Sequence, residues 1–98
     1  MKPGDIMETD LGATMQLPTF YRVTKVTPKT IYMNRLVSTS VDGDGMMGHC
    51  IPTDIEDTDR YLGQVTARVR DEGTAWSAKH RLLFYTYNGK PSYYNHLD

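Results

Sequence analysis

The amino-acid sequence predicts an all-β fold: a small single-domain β-barrel, SH3-like or partly open, with long loops. The first observation is a run of β-branched and aromatic residues over 19–37, broken only by the turn signal Thr27-Pro28-Lys29. Such a run predicts two strands folded into a hairpin. Shorter strand-like segments separated by Gly, Pro and Asn residues bring the expected total to about five to seven strands. No segment sustains the 3.6-residue period of an amphipathic helix.

The segments on either side of the hairpin are predicted mainly as loops. Before it, a turn at 2–5 leads into a short strand, and residues 8–18 form a loop punctuated by glycine and proline. After it, residues 38–50 form a glycine-rich loop and residues 50–52 a short edge segment. Residues 53–60 form an acidic loop or one helical turn.

Alternation within the hairpin is imperfect, and a β-bulge is one of two explanations. Tyr21 and Val23 fall on one face of an ideal strand, whereas Val26 falls on the other. Either one extra residue near Thr24-Lys25 or burial of both faces at the end of the strand would account for this pattern.

The C-terminal half contains the clearest strand. Within 62–70, the apolar residues Val65, Ala67 and Val69 alternate with the polar residues at 64, 66, 68 and 70. A turn at 71–74 follows, and then a strand at 80–87 that is apolar on both faces. Asn88-Gly89 is a strong hairpin signal and predicts that this strand pairs with the last one, residues 90–94.

Composition bounds the class of protein. Ninety-eight residues support one core, so we expect a single domain over 1–98. The single cysteine, Cys50, excludes an internal disulfide and suits a reducing compartment, for which we expect the cytoplasm. No apolar run has the length of a membrane span, and the N-terminus lacks the apolar core of a signal peptide.

The charges are strongly segregated although the formal net charge is only −1. Residues 11–41 contain no acid and residues 42–59 contain no base. The predicted hairpin is therefore basic and the segment after it acidic. The two segments either present a basic face to a partner or neutralise each other in the fold.

Three short motifs together resemble a known group of proteins. They are Gly4-Asp5-Ile6, the block FYRVTKVTPKTI at 20–31, and the tail YNGKP at 87–91 followed by Tyr93-Tyr94. The pattern resembles a family of small uncharacterised proteins from phages and other mobile elements. The resemblance implies a small β-rich domain encoded by mobile DNA, with no catalytic residues to transfer. The chain departs from that pattern at 11–17, where the family often has an aromatic, polar stretch; this difference bears on which partner is bound.

Patterns for catalysis and metal binding are incomplete. The Asp42-Gly43-Asp44-Gly45 stretch begins like a calcium loop, but Met47 and Thr53 occupy the positions that need glycine and glutamate. Cys50 has no ligand or nucleophile signature around it. Four carboxylates within 54–59 are typical of a solvated loop. We therefore expect no catalytic residues, no metal site and no cofactor.

Basic residues interleaved with aromatic ones form the candidate nucleic-acid site. A sheet that presents cations and flat rings can follow a phosphate backbone and stack bases. The candidates on predicted strands are Arg22, Lys25, Arg35, Arg68, Arg70, Tyr21 and Tyr32. Trp76 is either a core residue or an exposed platform.

The leading hypothesis is a non-enzymatic binding module of phage or mobile-element origin. It would serve as an accessory or counter-defence factor acting on a host protein or protein–nucleic-acid complex. Its predicted partner-binding loops carry Met15, Leu17, Met46 and Met47. The alternative is direct DNA or RNA binding through the basic strand face. We expect no membrane partner, and a monomer or, through an unpaired edge strand, a homodimer.

Overall fold

The computed structural model describes residues 1–12 and 15–96, which form eight β-strands. Within these ranges there is no helix, and so none that is long and apolar enough to cross a membrane. The strands are β1 (Ile6–Asp10), β2 (Pro18–Val26), β3 (Thr30–Gly43), β4 (Met47–Glu56), β5 (Gln64–Val69), β6 (Thr74–Ser77), β7 (Leu82–Thr86) and β8 (Ser92–Asn95).

Six of these strands close into an antiparallel barrel. Their order is β2-β1-β7-β6-β5-β3, and a further pairing between β2 and β3 joins the two ends. The prediction of a small all-β barrel is confirmed, and the barrel is closed rather than partly open. Closure leaves no free edge within the six strands.

The central hairpin and its bulge are as predicted. The β2 and β3 strands pair on either side of the turn at 27–29, where the Thr27 N–H donates to the Thr30 carbonyl at 2.8 Å. The register shifts between Val23 and Lys25, which is the predicted position of the bulge.

The predicted loop at 38–50 is wrong, because the chain there continues as strand. β3 runs on to Gly43, and β4 returns antiparallel to it as far as Glu56. The first part of the segment predicted as an acidic loop or helical turn, residues 53–56, therefore belongs to β4. The glycines belong to the turn of this second hairpin: Gly43 and Gly45 adopt φ of +102° and +89°, where a side chain would be strained. We name the three-stranded unit of Ser38–Gly43, β4 and β8 the arm.

The predicted hairpin at Asn88-Gly89 is also wrong. The turn itself forms, with the Lys90 N–H donating to Asn88 Oδ1 at 2.9 Å and Gly89 at φ +81°. However, β7 is already paired with β6 on one side and β1 on the other. Both of its edges are therefore occupied, and β8 pairs with β4 instead.

Two cores lie on opposite faces of β2. Tyr21 points into the barrel, where its ring meets Phe84 edge-on at 5.3 Å. Phe20 points outward and packs with Leu36 and the arm residues Cys50 and Tyr94. Both consecutive aromatic residues are fully buried, because the arm covers the outer side of the strand.

We predict that Phe20→Ala destabilises the protein by about 3–5 kcal/mol, because it empties the core between barrel and arm. Urea unfolding followed by fluorescence measures this change. The control is Tyr61→Ala, since the Tyr61 side chain is 76% exposed and its loss should change stability by less than about 0.5 kcal/mol. Equal effects of the two substitutions would contradict a second core.

Candidate functional site

The outward side chains of β2, β3, β5 and β6 form one continuous surface, which we name the outer face. Three rows of cross-strand partners build it, and partners in one row share a face of the sheet. The inward neighbours Met33, Val65 and Ala67 are buried in the barrel core, which fixes the direction of the rows. The rows contain Arg22, Asn34 and Gln64; then Lys25, Tyr32 and Thr66; then Thr30, Arg68 and Trp76.

Cations and rings alternate on this face. The Lys25 Nζ lies 5.4 Å from the centroid of the Tyr32 ring, within the range of a cation–π contact. Tyr32 keeps 38% of its surface exposed, and a shallow depression beside it is lined by both polar and apolar residues of β2, β3 and β5. Arg68 is exposed between Thr30 and Trp76. Arg70 continues the alternation of β5 just beyond its end.

One end of the outer face is tied to the acidic strand β4. Arg22 Nη2 donates to the Asp54 carbonyl at 2.8 Å, and Asn34 Nδ2 donates to Glu56 Oε1 at 3.2 Å. Arg22 therefore holds β4 against the barrel. The cations directed to solvent lie further along the face, at Lys25 and Arg68.

Two residues of the predicted nucleic-acid set lie elsewhere. Tyr21 has no exposed surface; its hydroxyl donates to the Leu62 carbonyl at 2.6 Å, and burial raises its pKa to about 12. Tyr21 lies two positions from the core residue Val23 on the same strand, and this spacing indicated that its side chain points into the barrel. Arg35 is the cross-strand partner of Tyr21 and donates from Nη1 to the Tyr61 carbonyl at 2.6 Å, at the end of the barrel. Trp76, which the predicted set omitted, joins the outer face through its register with Arg68.

A cleft of about 400 Å³ lies between the arm and a wall formed by Leu11 and residues 17–19. We name it the arm cleft. Leu17, Leu36 and Tyr94 give it apolar walls, while Arg35 and Arg60 lie at one end with Asp57. Burial lowers the pKa of Arg35, and the positive charge of Arg60 lowers it further, whereas Tyr21 and Asp57 oppose this change.

The structure places the four predicted partner-loop residues around the C-terminal strand. Leu17 lines the arm cleft, and Met15 is half-buried in the same segment, whose Gln16 forms a bridge to Asn95. Met47 also pairs with Asn95, and the Met46 carbonyl accepts the His96 N–H at 2.6 Å. Met46 and Met47 are exposed at the tip of the arm.

The chemistry of Cys50 does not favour a nucleophile. Cys50 and His96 both line the arm cleft, but burial and the negative charge of Glu8 raise the pKa of the thiol. A reactive cysteine needs the opposite shift. His49 instead pairs with Asp42 at 3.0 Å. Within the described part of the chain, no three His, Cys, Asp or Glu side chains converge as a metal site would require.

A buried carboxylate joins the arm to the barrel. Glu8 on β1 is only 7% exposed and accepts a hydrogen bond from Ser92 Oγ on β8 at 3.0 Å. Burial raises the pKa of the Glu8 carboxyl, and hydrogen bonds from Ser92 and Tyr85 partly offset that rise.

The sequence matches no protein-family model, and neither curated proteins nor solved structures give a significant match.

We predict that Glu8→Gln removes a pH-dependent penalty on folding. Because the folded-state pKa is raised, the folded protein holds the proton more tightly, and ionisation destabilises it as the pH rises above about 4.5. The amide remains an acceptor for Ser92 but cannot ionise. Stability measured by urea unfolding should therefore favour the variant increasingly as the pH rises from about 4.5 through the raised pKa of Glu8, and the difference should level off above it. Glu72→Gln, in the exposed turn before β6, is the control; a pH-independent difference at Glu8 would contradict the prediction.

Proposed function

We propose that the protein is a non-enzymatic binding module of phage or mobile-element origin that binds single-stranded nucleic acid through the outer face. It would work in the host-cell cytoplasm as an accessory or counter-defence factor, alone or on a host protein–nucleic-acid complex. The origin and the setting follow from the resemblance of its motifs. The binding mode is supported by one observation: the register brings Lys25, Tyr32 and Arg68 onto one exposed face.

The shape of the surface favours single strands over duplexes. Proteins that read a duplex insert a helix or a β-ribbon into a groove, whereas sheet surfaces stack unpaired bases on exposed aromatic rings. Tyr32 offers such a ring; Lys25 is its cross-strand partner, and Arg68 lies in the neighbouring row of the same face. Trp76 lies one strand further along the same row as Arg68.

The charges limit how strongly the outer face can bind. Acidic β4 adjoins one end of it, and Asp71 and Glu72 follow Arg70 in the turn at the other. About three cations, Lys25, Arg68 and Arg70, would therefore contact phosphates. Since each contact to a single strand contributes about −0.7 to the slope of log affinity against log salt, we expect a slope of about −2.

We predict that Tyr32→Ala weakens binding of a labelled single-stranded oligonucleotide by roughly fivefold to a hundredfold, since a stacked base contributes about 1–3 kcal/mol. Lys25→Ala and Arg68→Ala should each weaken binding and reduce the salt slope by about 0.7. Fluorescence anisotropy over a range of salt concentrations, with DNA and RNA probes and their duplexes, measures both effects.

Two controls keep this experiment specific. Tyr32→Phe retains the ring and should bind like the wild type. Lys90→Ala removes an exposed cation in the turn before β8, away from the outer face, and should leave binding unchanged. Absence of binding, or an equal loss in Lys90→Ala and Lys25→Ala, would overturn the proposal.

A further inference from the structure

The second half of β3 has one unpaired side. Residues 38–43 pair with β4, and no other strand among the described residues pairs with them. The Arg35 N–H donates to Gly63, and its carbonyl accepts from Asp57, both at 2.8 Å. These bonds place β5 and β4 on the same side of β3. Its other side belongs to β2, whose pairing with β3 ends at Phe20 and Leu36.

Backbone alternation directs specific residues to this free edge. In an antiparallel strand, the N–H and C=O of successive residues point to alternate sides. The Val37 carbonyl accepts from Thr53 Oγ1 of β4 at 2.7 Å, so Val37 faces β4 as Arg35 does. Ser38 and Ser40 therefore turn their backbone groups away from β4, and both residues line the arm cleft.

The arm cleft adds two features that suit one kind of ligand. Its walls are apolar at Leu11, Leu17 and Tyr94. Its Arg35 end carries two guanidinium groups and one carboxylate, Asp57, and is therefore net positive. Arginine binds carboxylates in a bidentate manner, so this end is complementary to an anion.

We propose that the arm cleft binds an extended, acidic peptide segment of a partner protein, which adds as a strand to the free edge at Ser38–Ser40. Main-chain hydrogen bonds to the edge would provide affinity, and apolar side chains of the peptide would lie against Leu17 and Tyr94. A carboxylate of the peptide, either its C-terminus or an acidic side chain, would lie at Arg35 and Arg60.

The surroundings of the edge favour a single extended segment over a second copy of this chain. Leu11 and residues 17–19 lie beside the free edge and form the opposite wall of the cleft. If two copies of the chain paired through their β3 edges about a two-fold axis, the cleft walls of the two copies would clash. The site shares no residue with the outer face, so this inference does not depend on nucleic-acid binding.

The test uses the full chain and a combinatorial library of short peptides in three forms. One form ends in a free carboxylate, one is amidated and contains an internal acidic residue, and one is amidated without acids. We expect enrichment of the form with a free C-terminus, of the form with an internal acidic residue, or of both. Comparing these two forms shows whether the site binds a terminal or a side-chain carboxylate. Enriched peptides should perturb the backbone amide resonances of Ser38 and Ser40. Sedimentation of the protein alone should show a monomer, so that peptide binding does not have to dissociate a dimer.

Substitutions then locate the site. Arg60→Ala should weaken the enriched peptides by about tenfold or more. Ser38→Pro removes an N–H at the free edge without removing a bond to β4, so the fold should persist while peptide binding is lost. Lys90→Ala is the charge control, and Lys25→Ala and Tyr32→Ala should bind peptide normally even if they lose nucleic acid.

Three results of the peptide-binding experiments would overturn the proposal. They are absence of enrichment in every form, equal enrichment of the form without acids, and unchanged peptide binding by Arg60→Ala. A stable dimer whose interface contains Ser38–Ser40 would assign the free edge to a second copy instead. If Ser38→Pro fails to fold, Arg60→Ala and the amide resonances still decide the outcome.

Discussion

The structure depends on the fact that one long strand serves two layers. The first half of β3 is paired with β2 and β5 and closes the barrel, and its second half leaves the barrel and pairs with β4. The register shift between Leu36 and Ser38 marks this change of partner. A bulge bends a strand and increases its twist, so the arm can fold back over the outer side of β1 and β2. Both cores follow from this geometry, as does the free edge that the arm retains.

The same change of partner separates the two candidate surfaces. On the barrel, cross-strand pairing aligns the outward residues of β2, β3, β5 and β6. These residues form a face on which cations lie beside an aromatic ring. Where β3 leaves β2, a cleft opens with apolar walls and an arginine pair at one end. A sheet surface with exposed cations and a ring suits a polyanion, whereas an edge with apolar walls suits a peptide. One small domain thereby offers two surfaces with different chemistry.

The layer between barrel and arm is not purely apolar. Glu8 lies beneath β8 and accepts a hydrogen bond from Ser92, while Phe20 and Tyr87 pack edge-on at 5.2 Å in the same layer. A buried carboxylate costs free energy unless it is hydrogen-bonded or protonated. Its partner Ser92 is adjacent in the sheet to Cys50, so this bond fixes how β8 lies over the barrel. The arm is therefore positioned by a directional contact as well as by apolar packing.

Much of the fold could be predicted from the sequence, because alternation along one strand is a local property. The hairpin around Pro28, the bulge after Val23 and the inward and outward residues of β5 all follow from neighbouring side chains. The same alternation groups Tyr21 with the core residue Val23, yet Tyr21 was assigned to the nucleic-acid set, and its full burial shows that this assignment was wrong. Glycines at 43, 45 and 48 looked like a flexible loop, although two of them serve a tight turn. Their role could not be distinguished without knowing that β4 pairs with β3.

Contacts between distant strands were determined only by the tertiary structure. Asn88-Gly89 favours a hairpin locally, but closure of the barrel occupies both edges of β7 and sends β8 to the arm. The register that aligns Lys25 with Tyr32, and Arg68 with Trp76, likewise requires the strands to be in place. By itself, then, the sequence determined the class of fold and the facing of most strand residues, since these depend on near neighbours. Which strands pair, and therefore where the outer face and the arm cleft lie, depends on how a closed sheet satisfies all its backbone hydrogen bonds at once.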